Sequence, residues 1–370
     1  MKKYLMSAVL LLSAGLFMAS CADDDEPMGV STFQVEQTTQ SDFDKWLYAN
    51  FTQPYNIQFL YRYNDKETDN RYNVIPADPE KAKALAIMVK HMWIDAYKEV
   101  AGEEFIREYG PKTYQLLGSP EYNSNGSIVL GYAESGVKIT LFRVNEIDIN
   151  NPFVNLTDPF RAHNAQPLDL NYWYFHTMHH EFFHILTQTK NYTTDYQTLS
   201  AGHYHTSDWV NVDDADAPKE GFVTGYASGE YNEDIAEVYS TYVTSSDEAW
   251  NKIMEASLIV TGETTKLDAN GNPVYVLDEN GDKIPVGYLY DQDGNRLIYQ
   301  GEDGKFYYAL EYMVETIPTY DTTYYDILVQ KLEMVRSYMN DSWGIDLDVL
   351  RQEVLRRMQD VGSLDLRNLN

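Results

Sequence analysis

The chain has 370 residues, with 57 acidic against 28 basic side chains and a formal net charge of −29. A surface this negative repels polyanions, which excludes nucleic acid and anionic membrane surfaces as electrostatic partners. Cys21 is the only cysteine, so there is no disulfide framework and stability must come from a buried core, which a chain of this length can supply. The 31 tyrosines suit a protein that touches sugars or peptides, but buried tyrosines would give the same count.

Met1-Lys2-Lys3, the apolar run Tyr4 to Met18 and the small pair Ala19-Ser20 read as a secretory signal over 1–20. Met18-Ala19-Ser20-Cys21 resembles a bacterial lipobox, with Met where Leu is usual. That predicts lipidation at Cys21 and an outer-membrane lipoprotein anchored by several acyl chains. If Lys2 and Lys3 leave with the leader, the charge becomes −31, since no acid precedes Cys21. The acidic run Asp23-Asp24-Asp25-Glu26 resembles a surface-export signal, and residues 21–40 read as a polar tether, so the protein is expected to face the cell exterior.

Beyond the tether, Phe43, Trp46, Leu47 and Phe51 fit a short helix, and Tyr55 to Tyr63 a strand. Asp78-Pro79 predicts the start of a long helix from Glu80 to Val100, in which His91 is read as a satisfied helix side chain. Ser127–Gly131 and Val137–Val144 read as strands, joined through Glu134-Ser-Gly136, with a turn at Asn123–Gly126. Val137–Val144 is the candidate edge strand for holding an extended substrate, beside the plainer reading as a core strand. Asn150 to Asp169 is loop-rich, and Asp169 or Asn171 can cap the helix that follows.

That helix carries His180-Glu181-Phe182-Phe183-His184, an H-E-x-x-H string in a segment free of Pro and Gly from Asn171 to Thr189. Residues four apart share a helical face, so both imidazoles can aim at one point. Zinc takes nitrogen ligands at roughly 2.0–2.1 Å, and a catalytic site leaves one position for water. Glu181 adjoins the first histidine, where its carboxylate can take a proton from that water. His176 and His179 read as neighbours of the site, not ligands.

Two places can supply a third ligand: the imidazoles His203 and His205, or the carboxylates Glu233 and Glu237. Position 187 is Thr and position 190 is Lys, which excludes an extended H-E-x-x-H-x-x-G-x-x-H site. Glu233-Asp-Ile-Ala-Glu237, about fifty residues after His184, looks like the second half of a gluzincin site. The spacing from Tyr226 to Glu233 is similar to that of the anthrax lethal factor peptidase domain. Tyr55-Asn-Ile, Gly131-Tyr-Ala-Glu-Ser-Gly-Val-Lys-Ile139, His180-Glu-Phe-Phe-His-Ile-Leu186, Gly221-Phe-Val and Asp346-Leu-Asp-Val-Leu-Arg351 resemble a family of zinc metallohydrolase lipoproteins associated with TonB-dependent substrate import. The resemblance implies zinc-dependent hydrolysis, chiefly of peptide bonds, at the cell surface, with a TonB-dependent import complex as partner. It also implies a role for Tyr226 in stabilising the oxyanion or protonating the leaving group.

Glu233 is then the expected third ligand: Asn232 is a good cap, and Glu237 lies one turn on to orient a ligand histidine. Two neutral imidazoles and one carboxylate would leave the zinc unit at net +1, a useful Lewis acid.

From 262 to 308 the chain changes character. Asp268-Ala-Asn-Gly271, Asp278-Glu-Asn-Gly281, Asp291-Gln-Asp-Gly294 and Glu302-Asp-Gly304 recur between short β-rich runs and read as hairpin turns in an insert, favoured over calcium loops because their Gly stands too early for an EF-hand. From Tyr320 the chain returns to packing helices, the last capped at Asp348. The expected fold is thus α+β, a gluzincin-type zincin over 41–261 and 309–370 with a β-hairpin insert that is a lid or partner surface. Two other functions fit the same residues: a nutrient-binding lipoprotein with structural zinc, or a zinc amidase acting on cell-wall or glycan-linked amides.

Overall fold

The computed structural model describes residues 40–64, 73–122, 128–129, 131–134 and 137–369, with the residues between 128 and 134 described by backbone alone. The leader, Cys21 and the acidic run lie outside the described residues, as do the Asn123–Gly126 turn and Ser135-Gly136.

Helix α1 (Asp42–Leu47) runs on through Tyr48–Thr52 and Gln53–Tyr55 and buries Phe43, Leu47, Phe51 and Tyr55. Only Gln58–Leu60 is paired as strand β1, shorter than the composition of Tyr55–Tyr63 suggests. Asp78 starts the expected long helix by accepting the amides of Glu80 and Lys81 at 2.9 and 3.1 Å. Helix α2 (Pro79–Val89) passes through a wider turn at Lys90–Ile94 into α3 (Asp95–Ala101), and α4 (Glu103–Tyr109) follows after Gly102. His91 departs from expectation: its Nε2 is buried without a hydrogen-bond partner.

Strands β1, β2 (Thr113–Leu116), β5 (Gly131–Glu134) and β6 (Lys138–Leu141) form one sheet in the order β1-β2-β6-β5; β3 (Glu121–Tyr122) and β4 (Ile128–Val129) make a separate pair. β1, β2 and β6 are parallel, and β5 runs antiparallel to β6 with Gly131 opposite Leu141. The edge next to the site is therefore β5, and Val137–Val144 is not an edge: β6 lies between β2 and β5 with Lys138, Ile139, Thr140 and Leu141 all buried. The period-two pattern marked Val137–Val144 and Ser127–Gly131, not Gly131–Glu134, and it could not say which strand is an edge, because edge status is set by pairing.

The H-E-x-x-H helix, α5 (Thr177–Thr189), continues a wider-turned run Asn171–His176 and packs between β5 and helix α6 (Tyr231–Thr244). Its apolar face is aromatic. Phe182 meets Trp93 edge-on at 4.9 Å, and Phe183 stacks on Tyr239 at 4.4 Å. Helix α7 (Asp247–Ala256) follows α6. Helices α8 (Thr323–Trp343) and α9 (Leu347–Asp360) close the core over α6, burying Leu328, Val335, Met339, Leu350 and Val354. The cap of α9 is Asp346, which accepts the amides of Asp348 and Val349; Asp348 instead accepts from Arg336. Arg351 donates to the carbonyls of Tyr242 and Ser245, satisfying the C-terminal end of α6.

In the insert, pairing begins at β7 (Ile259–Thr265) and closes at β8 (Thr316–Asp321), outside the expected limits 262–308. Each turn is built the same way. Asp268, Asp278 and Asp291 accept two amides apiece within their own loops, and Gly271, Gly281 and Gly294 take φ near +85°, where a Cβ would be strained. The strands close in threes instead of forming a flat sheet: Lys266 N donates to Glu315 O, Glu315 N to Val274 O, and Val274 N to Lys266 O. The ring repeats at Val276, Met313 and Ile284 and at Leu289, Ala309 and Leu297. No residue from 259 to 321 is fully buried, so cation–aromatic clusters replace a core. Lys283 lies 3.7 Å over Tyr275, and Arg296 4.1 Å over Tyr288.

Candidate metal centre

On α5 the i, i+4 spacing places His180 and His184 side by side, with their Nε2 atoms 3.0 Å apart. Glu233, in the first turn of α6, brings Oε2 to 3.0 Å from His180 Nε2 and 3.3 Å from His184 Nε2. Ligands at about 2.0–2.1 Å around a tetrahedral ion stand roughly 3.3–3.4 Å apart, so this triangle is a zinc-sized cradle drawn in by a few tenths of an ångström. The donor set fits as well: two imidazoles and one carboxylate converge with no lysine or arginine on them. Burial raises the Glu233 pKa, but hydrogen bonds and charge from the two histidines outweigh it and hold the carboxyl well below its usual range.

Behind the cradle, Glu237 is the hub. Its Oε1 lies 2.8 Å from His180 Nδ1 and 2.9 Å from His176 Nε2, and its Oε2 accepts from Thr224 Oγ1 at 2.6 Å. A carboxylate on Nδ1 fixes the tautomer that leaves Nε2 as the lone-pair atom. His176, His180 and Glu237 also form a compact His/Glu group whose donor atoms could meet at one ion, with Thr224 Oγ1 as a further donor to the carboxylate. His179 faces the opposite way, with Nδ1 3.0 Å from Tyr97 OH, and burial pushes its pKa down to about 3.

Glu181 and Tyr226 line a cleft of about 780 Å³ together with His180, Trp209, Asp214 and Glu237. Tyr226 stands on a 3₁₀ turn (Tyr226–Ser228), its ring 5.7 Å from that of His180 and edge-on to Trp209 at 4.9 Å. The residue is 38% exposed, yet burial and the charges of Glu233 and Glu181 raise the phenol pKa, so it stays protonated and can donate. Gly225 permits this turn, because a Cβ there would meet Val212 O at 2.0 Å.

The structure brings together His180, Glu181, His184, Tyr226, Glu233 and Glu237, and leaves His203 and His205 out. His205 pairs with Glu220 at 2.8 Å, and the His203 ring faces Tyr324. Asn232 is not the cap of α6; Glu230 precedes the helix and Asn232 sits inside it, accepting from Tyr192. Three contributors escaped the sequence reading: Thr224 on Glu237, Asp214 on the Gly225 amide at 2.8 Å, and Lys331 on Asp234. None carries a spacing signal; His176, expected as a neighbour of the site, is one, with its Nε2 on Glu237.

A helix pair presenting two imidazoles and a carboxylate to one point beside a cleft has the donor set of a metal-binding protein. Residues 36–348 match the family described as "Putative zinc-binding metallo-peptidase", and the chain belongs to it, with zinc as its cofactor. It is also similar to the crystal structure of a "putative zinc-binding metallo-peptidase" from Bacteroides caccae, at 31% identity and a TM-score of 0.58 over 92% of this chain and 100% of that one. No curated protein matches the chain.

Proposed function

We propose that the chain is a zinc peptidase of gluzincin type in which His180, His184 and Glu233 hold the metal. The observation that carries this reading is the convergence of those three ligand atoms within 3.0–3.3 Å of one another. Zinc there supplies a Lewis acid that acidifies water and polarises an amide carbonyl. Glu181 takes the water proton and passes it to the leaving amine. Tyr226 donates a hydrogen bond where charge develops on the carbonyl oxygen. Glu237 holds the Nδ1 proton of His180, and His176 and Thr224 hold Glu237.

The lipobox-like Cys21 and the acidic run after it support a lipoprotein of the outer membrane that faces outward and works on peptides beside a TonB-dependent importer. The test pairs zinc analysis with unbiased peptide-library cleavage by wild type and Glu181→Ala. The expected result is zinc in both proteins, with cleavage by wild type alone. Stoichiometric zinc without turnover of any peptide would favour a binding lipoprotein, and cleavage of muropeptides alone an amidase. Cys21→Ser should release the protein from membranes.

A further inference from the structure

We infer that a chamber beside the metal centre binds the alkylammonium end of a lysine-type side chain in the substrate, an inference that rests on the peptidase reading. The chamber holds about 110 Å³, against about 780 Å³ for the catalytic cleft, a size for one side chain and not for a length of backbone. It adjoins the catalytic cleft, sharing His163, His176, Tyr226 and Glu237 as walls.

Its polar lining is rich in acceptors. Thr241, on α6, is 5% exposed, and its Oγ1 has no hydrogen-bond partner. Asn171 uses its Nδ2 on the carbonyls of Asn155 and Thr244, at 3.0 and 3.1 Å, which fixes the amide and leaves the buried Oδ1 unpaired. Buried polar atoms without partners are costly, so a ligand that brings donors is favoured. The charge points the same way: Asp158, Asp169, Asp214 and Glu237 line the chamber against one guanidinium, Arg161, which is held by Pro167 O at 2.8 Å and lies 4.9 Å over the Phe153 ring. His163 is engaged by Asp214 and Tyr172. Leu156, Val223, Ala249 and Ile253 supply apolar wall for a methylene stem. An ammonium carries three donors and no acceptor, the complement of this lining.

The test uses the zinc-loaded full chain and peptides in which one position of a cleaved sequence carries Lys, norleucine, ε-acetyl-Lys or Glu, with the N-terminus free or acetylated. The expected result is one position at which Lys exceeds norleucine by about 10–100-fold in kcat/KM, as a hydrogen bond to a charged group gives. ε-Acetylation should abolish the preference, N-terminal acetylation should leave it unchanged, and Thr241→Val should narrow it about tenfold. Equal cleavage of Lys and norleucine at every position would mean that the chamber holds water only, and a preference that requires a free N-terminus would assign it to the α-amine; either overturns the proposal. If no peptide is cleaved at all, the peptidase reading fails. Titration of the zinc-loaded Glu181→Gln protein with n-butylammonium then still decides the chamber: binding tighter than that of n-butanol, weakened in Thr241→Val, supports it, and equal binding overturns it.

Discussion

Lys331 Nζ lies 2.6 Å from Asp234 Oδ2 with both side chains fully buried, which ties α8 to the residue that follows Glu233. The lysine also donates to Gly221 O at 2.7 Å, and Tyr204 OH donates to the same carboxylate oxygen at 2.9 Å. The pair thus joins the helix that carries Glu233 to the segment before Tyr226. Removing one partner of a buried pair leaves an uncompensated charge and costs about 3–5 kcal/mol. Lys331→Met should lower the unfolding free energy by that amount in denaturant titration. The double variant with Asp234→Asn should recover most of the loss, because no bare charge remains.

Glu233→Ala should lose zinc and activity together, as one of the three proposed ligand atoms is gone. Glu237→Ala should keep the cradle but weaken zinc by about 10–100-fold, since His180 loses the partner that fixes its tautomer. His203→Ala and His205→Ala should bind zinc as wild type does. Chelator competition reads all four, and zinc retained in Glu233→Ala would move the third ligand elsewhere.

Tyr226→Phe removes the proposed donor to the developing oxyanion and should lower kcat by about 10²–10³-fold, with little change in KM or zinc content. A change confined to KM would make the ring a packing surface for substrate.

His91 gives a pH dependence remote from the metal. Burial, followed by the charge of Arg357, lowers its folded pKa below the ordinary 6.5. Below pH 6.5 the unfolded chain binds a proton that the folded chain refuses, so stability falls as pH drops from 6.5 towards the folded value. His91→Gln should remove that component. The stability difference between wild type and variant, measured from pH 8 to 5, should therefore slope against wild type on the acid side, and a flat difference would show that His91 titrates alike in both states.

What the sequence determined was whatever depends on local spacing. Four residues make a helical turn, so His180 and His184 had to share a face, and Glu233 and Glu237 likewise; Asp-x-Asn-Gly and its variants had to turn the chain in the insert. Asp78-Pro79 similarly marked a helix start, whereas Asn232 and Asp348 misled, because a cap is chosen by backbone geometry and a neighbour one or two residues away can take the role.

What only the tertiary structure decided was which face meets which. Glu233 reaches the two imidazoles because α6 packs against α5, and His203 and His205 do not because their loop closes on Glu220 and Tyr324. β5 is the edge because β6 pairs on both sides, a fact of long-range hydrogen bonding that alternation in the chain cannot carry. The support of Glu237 by Thr224, 13 residues before it, has no period to betray it, and the one-turn spacing of His176 from His180 did not show that its partner is Glu237, 61 residues on. Side chains that act through a neighbour are chosen by distance in the folded chain, and sequence reports only distance along it.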